Sequence, residues 1–165
     1  MTLLLLSVSA AAEQSVVAPS KPPVTQAYPL AAKPQLDGNV IGDPAWQGAK
    51  ATTGFWQIRP DEGQPASQRT EVFVGFTDQA LYIGVICYDD EPGSIIVADS
   101  RRDSSLTDTD SFQVLLDSFK DRQNGLVFGT NPVGIQYDGQ VTKESVGAFS
   151  AGGGGFNLNW DTTWE

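Results

Sequence analysis

The chain has 165 residues, 20 of them acidic against 10 basic, and a formal net charge of −10. That length suits one domain, and that charge repels phosphate backbones, which argues against nucleic acid as a partner. There is no histidine and a single cysteine, Cys87, which removes Ser-His-Asp and Cys-His catalysis, the commonest zinc ligands and any intramolecular disulfide.

In chain order, residues 1–12 carry the run Leu3-Leu4-Leu5-Leu6 followed by Ser-Val-Ser-Ala-Ala-Ala. An apolar core before small residues reads as a secretory signal peptide cut after Ala12. It is too short to span a bilayer, and the usual positive start is missing, so the signal reads as incomplete. Residues 13–33 hold Pro19, Pro22, Pro23 and Pro29 among Ala, Ser and Val without a period. This predicts a disordered linker, with the folded part, residues 34–165, beginning near Pro34.

Leu36-Asp37-Gly38 reads as a strand end entering a turn. Asp43-Pro44-Ala45-Trp46 then has Asp at a helix N-cap and Pro at its first position. Gly48 follows at once, so the helix is expected to be one or two turns long, with Trp46 anchoring it to the core. Glu71–Thr77 and Leu81–Tyr88 alternate in apolarity about Asp78-Gln79, the pattern of a β-hairpin. Cys87 falls in this alternation and is expected to be a small buried hydrophobe. Ile95-Ile96-Val97 suggests a short strand. Ser111–Asp117 sets Phe112, Val114 and Leu116 on one face. Leu126–Thr130 and Val133–Val141 read as a second hairpin about Asn131-Pro132-Val133-Gly134. Gly147–Gly155 reads as a glycine-rich mobile loop, and Phe156, Leu158 and Trp160 as one apolar strand face.

Short strands at regular spacing with no long helical period predict an all-β fold, an antiparallel, jelly-roll-like β-sandwich. The sequence reaches Trp164-Glu165 while still reading as folded, so the domain is expected to be truncated at its C-terminus, its last strands missing.

The ordered set Leu36-Asp37-Gly38, Asp43-Pro44-Ala45-Trp46, Thr70-Glu71-Val72, Leu81-Tyr82-Ile83-Gly84-Val85, Asp89-Asp90, Arg101-Arg102-Asp103, Asp110-Ser111-Phe112, Leu116-Asp117-Ser118, Phe128–Gly134 and Trp160–Glu165 resembles carbohydrate-binding module family 9. The likeness runs from about Pro34 to the end. The run Phe55–Pro60, the Arg101-Arg102-Asp103 triplet and the Asn131-Pro132 turn carry a nearer likeness, to bacterial envelope proteins. In those proteins such a module precedes an outer-membrane barrel-like region. The resemblance implies recognition of sugar chain ends between aromatic rings, and a structural calcium ion.

A sugar presents C–H groups to an aromatic platform and hydroxyls to forked donors and acceptors. Trp46 is expected in the core and Trp160 on an apolar strand face. Trp56, in an irregular stretch, is the best platform candidate, and Trp164 suits either site or core. Arg101 and Arg102 suit forked contacts to hydroxyls, or else salt bridges with Asp103, Asp108 or Asp110. Carbohydrate-contacting candidates are therefore Trp56, Arg102 and Trp164. Calcium needs oxygen ligands from loops, and Asp37, Asp43 and Asp90 lie in or beside predicted turns, where Asp is also the ordinary turn residue.

No acidic pair is singled out for glycoside hydrolysis, so the module itself is expected to be non-catalytic. The expected function is carbohydrate binding, of a polysaccharide or oligosaccharide, within a larger protein linked to polysaccharide catabolism. The expected location is the periplasm or outer membrane of a Gram-negative bacterium. The alternative is a structural periplasmic domain docking against the C-terminal region of the same protein, without sugar binding.

Overall fold

A computed structural model describes residues 24–142 and 155–165. The expected signal peptide, the linker up to residue 23 and nearly all of the glycine-rich loop lie outside the described residues. The strands are β1 (Tyr28–Pro29), β2 (Thr70–Phe76), β3 (Leu81–Cys87), β4 (Phe112–Leu116), β5 (Gly125–Thr130), β6 (Tyr137–Val141) and β7 (Phe156–Asn157). They form two sheets, ordered β1-β2-β3 and β4-β5-β6-β7, so the fold is all-β. The chain divides into two compact units between Asp90 and Glu91, just before the Pro92-Gly93 break.

In the first unit, β2 and β3 make the expected antiparallel hairpin, with Val72 opposite Val85, Phe73 opposite Gly84 and Val74 opposite Ile83. Directly opposed residues share a face, so Phe73 and Gly84 lie on one side and the valines and Ile83 on the other. The short helix forms as a single 3-10 turn, Pro44–Trp46, and Asp43 Oδ1 accepts the Ala45 N–H at 2.8 Å. That turn carries Trp46, buried as expected, over the Phe73–Gly84 pair. The Trp46 and Phe73 ring centroids are 5.9 Å apart. A Cβ on Gly84 would come within 3.0 Å of both Trp46 and Val40, so this strand position is glycine because an indole occupies the space above it.

Three expectations for this unit change. The linker was expected to reach Lys33, but Tyr28–Pro29 pair in parallel with Gly75–Phe76, and the Leu30 N–H donates to the Phe76 carbonyl at 2.8 Å. Leu30 fills the space above Gly75. The hairpin is therefore extended by a parallel strand rather than an antiparallel one. Cys87 is exposed, because it is the last residue of β3, where the alternation ends. Leu36 is an exposed bend residue and belongs to no strand.

In the second unit, β4, β5 and β6 form an antiparallel meander, and β7 adds two residues beside β6. Buried Leu106, Val127, Ile135, Tyr137 and Val141 make the core, with Phe156 and Leu158 packed against it. The register places Val114, Phe128 and Asp138 in one row on the opposite face, together with Phe112 and Leu116. The Asn131–Gly134 turn forms as expected. Gly134 has φ of 75°, and its N–H donates to the Asn131 carbonyl at 2.9 Å. Buried Asn131 also donates from Nδ2 to the Asp99 carbonyl at 2.9 Å.

Ile95–Val97 is not a strand and is exposed. It is tied to Asp110 by both side chain and backbone, Ile96 N–H donating to Asp110 Oδ2 at 2.6 Å and the Asp110 N–H to the Ile96 carbonyl at 3.0 Å. Trp160 leaves the face it was expected to share with Phe156 and Leu158. The ladder ends at Asn157, the chain turns, and Trp160 meets Phe128 on the other face, centroids 6.3 Å apart and edge to face.

Candidate functional site

The residues singled out for sugar contact fall in two places, one in each unit. The first is the loop around Trp56. Trp56 bridges Pro65, and the loop is braced from both sides. Ala66 N–H donates to the Phe55 carbonyl at 2.8 Å, Gln57 N–H to the Gln64 carbonyl at 2.8 Å, and Gly63 N–H to the Gln57 carbonyl at 2.9 Å. The Gln57 side chain adds a donation from Nε2 to the Pro65 carbonyl at 2.8 Å. Trp56 is half-buried, while Phe55 and Ile58 beside it are exposed. The result is a braced surface loop carrying two adjacent aromatic rings, with Arg59, Asp61 and Glu62 exposed at its tip.

The second place is centred on Arg102. Its Nη2 donates to Asp138 and to Asp161, and to the Thr162 carbonyl at 3.2 Å. Its Nη1 donates to the Gln136 side chain, and its Nε lies 3.4 Å from Asp103 Oδ2. Asp138 is fully buried at 0% exposure, so it requires this cation. Its second oxygen accepts the Thr162 N–H at 2.9 Å. Gln136 then donates to the Trp164 carbonyl at 2.6 Å, and the Trp164 ring stands edge-on to Phe128 at 5.5 Å. Arg102 and Trp164 are thus brought together, through Gln136, while Trp56 lies in the other unit. Of the salt-bridge partners expected for Arg102, Asp103 is present, whereas Asp108 and Asp110 are replaced by Asp138 and Asp161. Arg101 pairs outward with Asp99 at 2.7 Å. That side-chain contact, helped by the Arg101 backbone N–H, holds the Asp99 carboxyl well below the usual carboxylate range.

Sequence reasoning missed Asp138, Gln136 and Asp161. Asp138 offered one signal, a carboxylate inside the strand Tyr137–Val141, where an unpaired buried charge is not tolerated.

Tyr137, in the core beside this network, is a titration probe of the second unit. Burial, and then the negative charge of Asp103, push its phenol above the ordinary value of 10.0. The folded protein therefore holds this proton more tightly than the unfolded chain does. The associated stability is fully present below the unfolded value and is lost as pH rises through the folded one. Tyr137→Phe is expected to flatten the alkaline fall in urea midpoint above about pH 10. An unchanged slope would assign the fall to other groups.

The aspartates considered for calcium hold turns. Asp37 Oδ1 accepts the Asn39 N–H at 2.9 Å, and Asp43 Oδ2 accepts the Gln35 N–H at 2.7 Å while its other oxygen caps the 3-10 turn. Asp90 is exposed beyond the end of β3. Among the described residues, no group of three or more His, Cys, Asp or Glu is arranged to hold a metal ion, and none of the helices there is long and apolar enough to cross a membrane. No protein-family model matches the chain, and no curated protein or solved structure matches it either.

Proposed function

We propose that this chain is a non-catalytic carbohydrate-binding domain, exported to the cell envelope as part of a larger protein tied to polysaccharide breakdown, with the Phe55–Ala66 loop as its sugar face. The observation that carries the reading is the bracing of that loop. A sugar ring gains most from an aromatic surface that is already in place, because ordering a loop on binding would consume the modest stacking energy. Four hydrogen bonds fix the backbone on both sides of Trp56, and the polar residues at the loop tip suit a ring of hydroxyls. The resemblance of the ordered set of short motifs to carbohydrate-binding module family 9 suggests the ligand class.

Titration calorimetry with xylo- and cello-oligosaccharides tests the reading, run with calcium and with a chelator because the resemblance implies a structural ion. Trp56→Ala is expected to weaken binding at least about tenfold, the loss of one aromatic platform, with the melting temperature nearly unchanged. Absence of binding to any oligosaccharide or polysaccharide tried would reject it.

A second reading has one specific observation in its favour. Arg102 and Trp164, the other two residues proposed for sugar contact, are already engaged by Asp138, Asp161, Gln136 and Phe128. A domain whose forked cation serves its own packing suits a structural role, docking to the rest of the parent protein without a sugar. Wild-type protein that binds no glycan but associates with that remaining region would select this reading.

A further inference from the structure

Residues 117–124 join β4 to β5, whose last paired residues are Leu116 and Leu126. A hairpin needs only about two to five residues to reverse, so this connection is longer than the reversal requires. It is fastened by two of its own carboxylates. Asp117 Oδ1 accepts the Asp121 N–H at 3.2 Å, and its Oδ2 accepts the Arg122 N–H at 3.0 Å. Asp121 Oδ1 accepts the N–H groups of Gln123 and Asn124, each at 2.8 Å, and its Oδ2 accepts from Asn124 Nδ2 at 2.6 Å. The Asn124 side chain first, and then those backbone N–H groups, hold the Asp121 carboxyl below its ordinary value. Lys120 and Arg122 take left-handed φ of 56° and 57°. That conformation is unfavourable for such side chains, and the two aspartates maintain it.

This network separates the charges of the loop. Both carboxylates are turned to the loop's own backbone, whereas Lys120 and Arg122 are exposed and enter no ion pair among the described residues. Phe119 is 68% exposed, and its ring stacks on no other aromatic among those residues. In a chain of net charge −10, an aromatic ring and two unpaired cations therefore stand next to one another along a backbone that needs no ordering before contact.

The chemistry of this tip selects among three kinds of partner. A protein needs an interface far larger than one ring and two cations, about 1,200 Å² or more. An anionic membrane is an extended plane of charge, which a net charge of −10 repels, and a single ring gives little hold on it. One anionic sugar meets neither obstacle. Its C–H face suits the ring, its carboxylate suits a guanidinium fork and an ammonium, and acidic residues beyond about 8–10 Å are screened from it by salt.

We infer that the loop of residues 117–124 is a contact site for a uronate residue of an acidic polysaccharide, stacked on Phe119 and held through its carboxylate by Lys120 and Arg122. The site lies in the second unit, apart from the loop around Trp56, and it does not rest on the reading of that loop.

Titration calorimetry of the whole protein with trigalacturonate and with its methyl ester, in buffer free of divalent ions, tests this. The acid is expected to bind at least about tenfold more tightly than the ester, with an affinity that falls as salt is raised. Phe119→Ala is expected to weaken binding of the acid about tenfold. Lys120→Asn combined with Arg122→Asn is expected to abolish the preference for acid over ester with the melting temperature nearly unchanged, since asparagine tolerates positive φ. Trp56→Ala is expected to leave trigalacturonate binding as it is, so that failure at one loop is told apart from failure at the other. Equal binding of acid and ester, or binding of neither, would overturn the inference. So would binding to phosphatidylglycerol vesicles that depends on Phe119 while trigalacturonate binding does not. If the double variant does not fold, Phe119→Ala and the comparison of acid with ester decide the matter.

Discussion

Arg102→Met is expected to destabilise the second unit by about 3 kcal/mol, near the lower end of what breaking a buried ion pair costs. The asymmetry of the pair sets this size. Asp138 has 0% exposure, so removal of the guanidinium leaves a carboxylate with no access to water, while Arg102 keeps 34% exposure and its own part is screened. Adding Asp138→Asn on the same background is expected to restore part of the loss. The amide carries no charge to strand, and its oxygen still accepts the Thr162 N–H. Urea unfolding of the four members of this cycle, followed by exchange at β5–β6 amides, gives the coupling. A coupling under about 0.5 kcal/mol would mean that solvent, and not Arg102, compensates Asp138.

In the first unit the largest expected effect belongs to Trp46→Ala, at about 3–4 kcal/mol. The indole is buried above Gly84, a position with no side chain to move into the vacated space. Phe73, its aromatic neighbour at 5.9 Å, is held in strand β2, so the cavity would collapse only in part. The two units should be read by separate probes, because a single transition is not guaranteed for a chain that divides in this way. Amides of β2 and β3 should lose protection. A loss under about 1 kcal/mol would show that the site repacks. The contrast with Trp56→Ala is informative, since that half-buried indole sits on a surface loop and its removal should leave stability nearly unchanged.

The strands were legible because alternation is a local signal. Val72 and Val74 against Ile83 and Val85, or Val114 and Leu116 against Leu126 and Phe128, announce themselves within a few residues. Asp43-Pro44 was legible in the same way, since capping needs only the next two positions. The Arg102 network was not. Its partners Asp138 and Asp161 stand 36 and 59 residues away, and no spacing rule links a guanidinium to carboxylates that only the register of β6 and the turn after Asn157 bring near. Trp160 was misplaced for a related reason. Period-two reasoning assumes that the strand continues, and here the ladder stops three residues too soon. Cys87 shows the complementary limit, because alternation gives the face of a residue but not whether anything covers the end of the strand. Of the candidate site, the Trp56 loop was visible as an irregular stretch with an aromatic residue. Its bracing by Gln57, Gly63 and Ala66 was not, because three of those four bonds are backbone to backbone and carry no residue signature.

The parallel pairing of Tyr28 and Pro29 bears on how this domain is best cut for study. A shortened protein starting at Pro34, where the sequence first reads as folded, would discard those two residues and Leu30 with them. Gly75 would be left bare, and among the described residues the outer side of β2 would keep the bridge from Thr52 to Val72 alone. An uncovered flat strand rich in Val and Phe invites pairing with its own kind. Such a fragment should be prone to self-association, whereas one beginning at Val24 should remain dispersed.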